Sequence, residues 1–246
     1  MDCNTALKTG KFHLDILFNK SMKIAPLTFE HVEVALPLFK YLKKLSLNIK
    51  FIFCFSLNRK SESVLNFKDM PITTGYTDDK KTEELLGPEI KNYLGDISNV
   101  RFFIFYNLKL RSIKNFFLAK KLARSLKEYD IIHFNGTNGV LPFLIFLLRK
   151  KKLIFTIHDV RPHSGENTGA YFFEKLIDYI ARSKYQLVVQ NIADLNYLKK
   201  KFPENSTKFF FIPFGVLDVY RAFENSEIKT PESDLLFFGR ISPYKG

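Results

Sequence analysis

The residues best suited to handling an anion stand at the far end of the chain. In FFGRISPYKG (237–246), Arg240 and Lys245 flank a turn through Pro243, with Gly239 and Gly246 at its margins. A guanidinium offers a planar fork to a phosphate and an ammonium offers a point charge. Glycines let a ligand approach the backbone closely. A second group lies in HDVRPHSGENTG (158–169), which carries His158, Asp159 and His163 directly after the apolar run LIFTI. A third is NGTNG (135–139), after IIHF, where Asn135 and Gly136 precede a helical pattern. Glycines ahead of a helix expose N–H groups that suit anions; they are equally ordinary turn residues. A histidine at a strand end also serves to cap or pack. The Asp78-Asp79 pair lies in an irregular stretch and reads as a turn rather than a metal site. Cys3 and Cys54 show neither CxxC nor zinc-ligand spacing. No Ser-His-Asp order, nucleophile elbow or Walker loop is present.

These groups need elements to hold them, and the chain supplies an alternation. Short runs rich in Ile, Val and Phe recur at 22–27, 49–56, 100–106, 131–134, 153–157, 185–190 and 208–213. They are apolar almost throughout, as strands covered on both faces are. Helical patterns fall between them at 31–45, 112–128, 138–149, 169–182 and 192–201, the first with Pro37 either opening its regular part or kinking it. This predicts an α/β fold with a doubly wound parallel sheet. The stretch 57–99, mixed in composition with a short helix near 81–93, is expected as an excursion at the sheet edge. In such sheets ligands bind outside the carboxyl ends of the strands, where His158, Asp159, Asn135 and Gly136 are placed by this reading. Residues 1–21 fit the alternation poorly and read as an N-terminal extension, 22–226 as the main Rossmann-like domain and 227–234 as a linker. DLLFFGR (234–240) reads as an eighth buried strand, so that 235–246 opens a second domain, truncated here.

Composition sets the class. The chain has 246 residues, 46% hydrophobic and 15% aromatic, with 27 Phe and no Trp, which fits a globular protein and not a disordered one. Its longest apolar run, at 139–150, is the length of a core helix, and the N-terminus lacks a signal-like stretch, so the expected location is the cytoplasm. A net charge of +13 invites an anionic partner. Much of that charge sits where helices end, complementing the dipole. The exception is RSIKNFFLAKKLARSLK (111–127), with six basic residues and no acidic one. On a helical wheel Lys114, Lys120, Lys121 and Arg124 oppose an apolar side and have Phe117 among them, a pattern that suits either an anionic membrane surface or an ordinary solvated helix. No nucleic-acid-binding motif accompanies the charge, and no nucleic acid partner is expected.

Taken together, FFGRISPYKG, FIPFGV (211–216) and TIHD (156–159) resemble the family 4 (group 1) retaining glycosyltransferases, enzymes of GT-B architecture with two Rossmann-like domains. Phe214 stands where that family often has Asn or His, Asp218 comes one place later than its usual aspartate, and the loop LTFEH (27–31) lacks the family's glycine pair. The resemblance implies transfer of a sugar from a nucleotide diphosphate to a glycan or lipid-linked acceptor, with retention, no metal and no cofactor beyond the donor substrate. It gives Arg240 and Lys245, with Gly239 and Gly246, the diphosphate, and it sets His158 facing the transferred sugar, with Asp159, Asn135 and Gly136 near the substrate. Most of the family's donor domain has no counterpart here. The chain therefore reads as a fragment or split-gene half, inactive alone and completed by a separate chain; the alternative is a non-catalytic module that binds acceptor or membrane.

Overall fold

The computed structural model describes residues 22–29, 32–45, 47–57, 61–62, 64–66, 73–110, 112–161 and 170–223. The linker and second-domain readings at 227–246 lie outside these residues, as does the extension at 1–21.

Seven apolar runs form one sheet. Strand β1 (Lys23–Thr28) is followed by helix α1 (Val32–Lys44) and by a strand in two pieces, β2 (Asn48–Ile49) and β3 (Phe51–Ser56). Pro26 accounts for the break, since it has no N–H to give. The β1 ladder pairs Ile24 with Ile49, lapses, and resumes at Leu27 with Ile52. Next come a two-stranded hairpin, β4 (Ser61–Glu62) with β5 (Leu65–Asn66), then β6 (Gly75–Tyr76), helix α2 (Asp79–Leu94) and strand β7 (Val100–Phe105). The remainder alternates: α3 (Ile113–Ser125), β8 (Ile131–Asn135), α4 (Leu141–Leu148), β9 (Lys152–Ile157), α5 (Ala170–Arg182), β10 (Gln186–Val189), α6 (Ile192–Lys201) and β11 (Phe209–Phe211).

The strand order is β11-β10-β9-β8-β1-β3-β7-β6, parallel throughout except for β6, which runs antiparallel to β7 at the edge. The expected doubly wound sheet is thus observed, with β6, from the 57–99 excursion, at its edge. Each capping residue in that excursion has a local reason. Asp78 accepts a hydrogen bond from the Lys81 N–H at 2.7 Å and caps α2, and Asp79 pairs with Arg101 at 2.7 Å. Within α2, Gly87 takes φ +71° immediately before Pro88, so the helix is broken there.

Because chain order rises outward from β1 on one side and then on the other, right-handed crossovers put the helices on opposite faces. One core joins α1 and α2 to the outward side chains of β3 and β7, including Phe51, Phe53, Phe55 and Phe102. The other joins α3, α4, α5 and α6 to Ala25, Leu27, Phe103, Phe105, Phe134 and Phe155. Rings meet across neighbouring strands, Phe53 tilted against Phe102 at 5.4 Å and Phe134 stacked with Phe155 at 5.2 Å. Phe is fitted to this use: two buried faces per strand need bulk without polar atoms, and aromatic pairs add about 0.5–1.5 kcal/mol each beyond area burial.

After β11 the chain does not stop at the sheet edge. A 3₁₀ segment, Asp218–Phe223, packs against α1 and α2 and buries Val219 in their core. Asp218 anchors it: the Tyr93 hydroxyl donates to Oδ1 at 2.5 Å, the Tyr41 hydroxyl to Oδ2 at 3.3 Å, and the Lys40 ammonium lies 3.9 Å from Oδ2.

Candidate functional site

The strand order reverses between β1 and β8: from β1 the chain winds toward β7, then crosses to β8 on the other side. Diverging loops at such a point leave a crevice at the carboxyl edge. Its walls are the ends of β1, β8, β9 and β10.

At the end of β8, Asn135 is buried and registered between Thr28 of β1 and Thr156 of β9. Its carbonyl accepts the Phe29 N–H at 3.3 Å. Gly136 takes φ +86°, a conformation only glycine adopts without strain, and its N–H donates to the Thr156 carbonyl at 3.1 Å. That N–H is committed to the fold, so what Gly136 offers a ligand is room. Gly139 has another reason: a Cβ there would lie 2.6 Å from both the Leu108 oxygen and the Leu110 nitrogen. The loop after β7 therefore rests directly on the loop after β8. Asn115, fully buried in α3, holds that first loop by donating from Nδ2 to the carbonyls of Asn107 and Lys109.

Asn138, not singled out by the sequence, completes the turn. Its Oδ1 accepts from the Val140 and Leu141 N–H groups at 2.8 and 3.2 Å. Its Nδ2 is buried with no hydrogen-bond partner among the described residues, as is the Thr28 Oγ1 at the end of β1. A second unforeseen residue is His133, on β8 itself. Its Nε2 lies 2.8 Å from Thr156 Oγ1, and burial pushes its pKa down to about 4.

On the neighbouring strand, His158 is the first residue past β9 and half-buried. Its Nδ1 lies 2.6 Å from the Gln190 Oε1, just past β10. An amide oxygen only accepts, so Nδ1 carries the proton and the ring lone pair sits on Nε2. Asp159 beside it is exposed. Val160 is buried, and Arg161 reaches Asp194 at 3.7 Å and covers the Tyr197 ring, so both flanks of His158 are tied to α6 and β10. The structure thus brings Asn135, Gly136, His158 and Asp159 to one edge of adjacent strands. Gly239, Arg240, Lys245 and Gly246 lie outside the described residues, and so does His163. Among the described residues there is no cluster of three or more His, Cys, Asp or Glu able to hold a metal ion.

Comparison with solved structures bears on this arrangement. A UDP-GlcNAc 2-epimerase from Methanocaldococcus jannaschii superposes on 82% of this chain with a TM-score of 0.52 at 13% identity. The fold is Rossmann-like, of the GT-B kind. Matches also include a UDP-GlcNAc 2-epimerase from Neisseria meningitidis, bound to UDP-GlcNAc, over 82% of this chain (TM-score 0.48, 11% identity). Another is a trehalose 6-phosphate synthase from Burkholderia multivorans, over 80% (TM-score 0.43, 14% identity). This GT-B-like chain covers 48%, 48% and 49% of those three chains, about half the length of each. No family model and no curated protein matches the sequence.

Proposed function

We propose that this chain is the acceptor-side domain of a glycosyltransferase that uses a nucleotide-diphosphate sugar. The observation that carries the reading is His158, set at the carboxyl edge beside the strand-order reversal, with its proton fixed on Nδ1 by Gln190. An imidazole so oriented keeps its acceptor lone pair on Nε2, a buried atom, and in the proposed enzyme that nitrogen takes a sugar hydroxyl seated in the crevice. The M. jannaschii protein that shares the fold is named for a nucleotide sugar, which agrees with this class of substrate. In the proposed enzyme the acceptor, a glycan or lipid-linked saccharide, occupies the crevice near Asn135, Gly136 and Asp159. Arg240 and Lys245 hold the diphosphate, with Gly239 and Gly246 allowing close approach. Preset cations stabilise the charge that the leaving diphosphate gains, without reorganisation during the reaction. Transfer proceeds with retention, requires no metal, and needs a donor domain beyond the residues of this chain.

The test joins a complementary donor domain after Gly246 and follows sugar transfer from a panel of nucleotide sugars. Arg240→Ala and Lys245→Ala each lower turnover at least about tenfold, the loss of one charge-assisted contact of about 1.5 kcal/mol or more. His158→Ala slows turnover and leaves affinity for the bare nucleoside diphosphate unchanged. Full activity in the two cation variants, or loss of nucleotide binding in His158→Ala, refutes the assignment.

A further inference from the structure

The outer surface of the α3–α4 pair combines apolar and cationic side chains without a carboxylate among them. Helix α3 turns Asn115, Ala119, Leu122 and Ala123 inward. That leaves Ile113 and Phe117 facing solvent, 73% and 63% exposed, with Lys114, Lys120, Lys121 and Arg124 around them. Helix α4 packs alongside through an edge-to-face contact of Phe143 with Phe116 at 5.6 Å. It presents Phe146, 60% exposed, with the Arg149 guanidinium 4.7 Å over its ring. Beside Phe146 lies a cavity of about 550 Å³ lined by Lys127, Leu147, Leu148, Arg149 and Lys150 among others.

Two features mark this face. From Tyr106 to His158 the sequence holds 11 Lys and Arg against two acidic residues, Glu128 and Asp130. Both carboxylates are engaged by Lys23, one through its ammonium and one through its backbone N–H. At several other places cations meet carboxylates: Lys40 with Asp218, Lys43 with Asp96, Lys91 with Glu83, Lys201 with Asp178. None of the cations on the outer face of α3 or at the end of α4 pairs with a carboxylate among the described residues. Unpaired cations interleaved with exposed aromatic and aliphatic side chains match a surface whose headgroups are anionic and whose interior is apolar. A nucleic acid would use the cations and leave Ile113, Phe117 and Phe146 exposed. Among the described residues no helix is long and apolar enough to cross a membrane, so contact is from one side.

We propose that the α3–α4 face docks on an anionic lipid bilayer, with Phe117 and Phe146 entering the boundary between headgroups and acyl chains. The cations of both helices lie against lipid phosphates, and the cavity beside Phe146 takes one headgroup. Helix α3 is thus half of a two-helix platform that α4 completes. This inference does not depend on the sugar-transfer reading.

The absence of Trp from the sequence supplies a clean probe. Phe117→Trp and Phe146→Trp place single reporters on the platform; Tyr41→Trp, on α1 across the sheet, serves as control. Each full chain is mixed with vesicles of phosphatidylcholine alone or with added phosphatidylglycerol, and emission and cosedimentation are recorded at low and high salt. Phosphatidylglycerol vesicles shift the emission of the first two variants to the blue and leave Tyr41→Trp unmoved; high salt reverses the shift. Replacing Lys114, Lys120, Lys121 and Arg124 together with Gln in either reporter background lowers the partition at least about tenfold, since each near-surface cation adds up to about fivefold. All four side chains are exposed, and unchanged circular dichroism shows that the variant folds. No shift on anionic vesicles, equal partition onto phosphatidylcholine alone, an unaffected quadruple variant, an equal shift in Tyr41→Trp, or tighter binding to an RNA or DNA duplex would each overturn the proposal.

Discussion

Replacing Gly139 with Ala tests whether the crevice is built by direct contact of two loops. An added Cβ would lie 2.6 Å from the Leu108 carbonyl oxygen and the Leu110 nitrogen. Ordinary contact begins near 3.4 Å, so the loop after β7 must retreat by the difference, 0.8 Å. Neither neighbour is the end of a flexible side chain, and the loop is pinned from behind by Asn115. Overpacking of this kind costs about 1–3 kcal/mol. In a chain of this size that lowers Tm by about 2–4 °C per kcal/mol. The assay is thermal unfolding followed by circular dichroism, with Gly215→Ala as control, because a Cβ at Gly215 meets nothing within 4 Å. Hydrogen exchange adds a local readout. The Gly139 N–H donates to the Leu108 carbonyl at 3.1 Å, so the variant exchanges faster at Gly139 and across 106–110. A fall in Tm no larger than that of Gly215→Ala, with exchange unchanged, refutes the reasoning.

Three further outcomes are expected. His133 has a folded pKa near 4 against an ordinary 6.5, so the unfolded chain binds more protons between those values and stability falls as pH drops through that window. The loss reaches up to about 3 kcal/mol, and urea titrations at several pH values should show it shrinking in His133→Gln. Asp218→Ala leaves the Tyr93 and Tyr41 hydroxyls without their acceptor and should destabilise by about 1–3 kcal/mol in urea unfolding, with enhanced proteolysis at 212–223; unchanged stability counts against the anchor. Gln190→Leu should abolish the fixed Nδ1–H tautomer of His158 in nitrogen NMR, while Gln190→Glu keeps it and raises the imidazole pKa; an identical spectrum in all three shows that Gln190 does not orient the ring.

The strands were legible because burial on two faces leaves a run no polar positions: VRFFIFY and IIHF could hardly be anything else in a chain of this alternation. Helix α6 was legible from its amphipathic spacing and lysine-rich last turn. What escaped was pairwise. The two-residue strand β6 has too short a signature to recognise and exists only because β7 offers an edge. Asp218 in the sequence is one carboxylate in a polar turn; that Tyr41 and Tyr93 converge on it, 177 and 125 residues away, is a fact of the fold. The crevice divides similarly. His158 stood out as a histidine past a buried strand, whereas Gln190 gave no signal until β10 was set beside β9. The glycines of NGTNG were visible as a turn, and which served for its φ and which for close approach depended on a loop 30 residues earlier in the chain.

The return of Asp218–Phe223 to α1 and α2 also bears on how the chain matures during synthesis. Val219 belongs to a core whose other members lie within residues 32–104. Those residues emerge first from the ribosome, and their phenylalanine-rich sheet face waits for a segment made more than a hundred residues later. Until that segment arrives the half-built sheet presents unsealed apolar surface, the condition under which nascent chains aggregate. A chaperone that shields aromatic surface would therefore engage translating chains until the Asp218–Phe223 strap has cleared the ribosome and closed on α1 and α2.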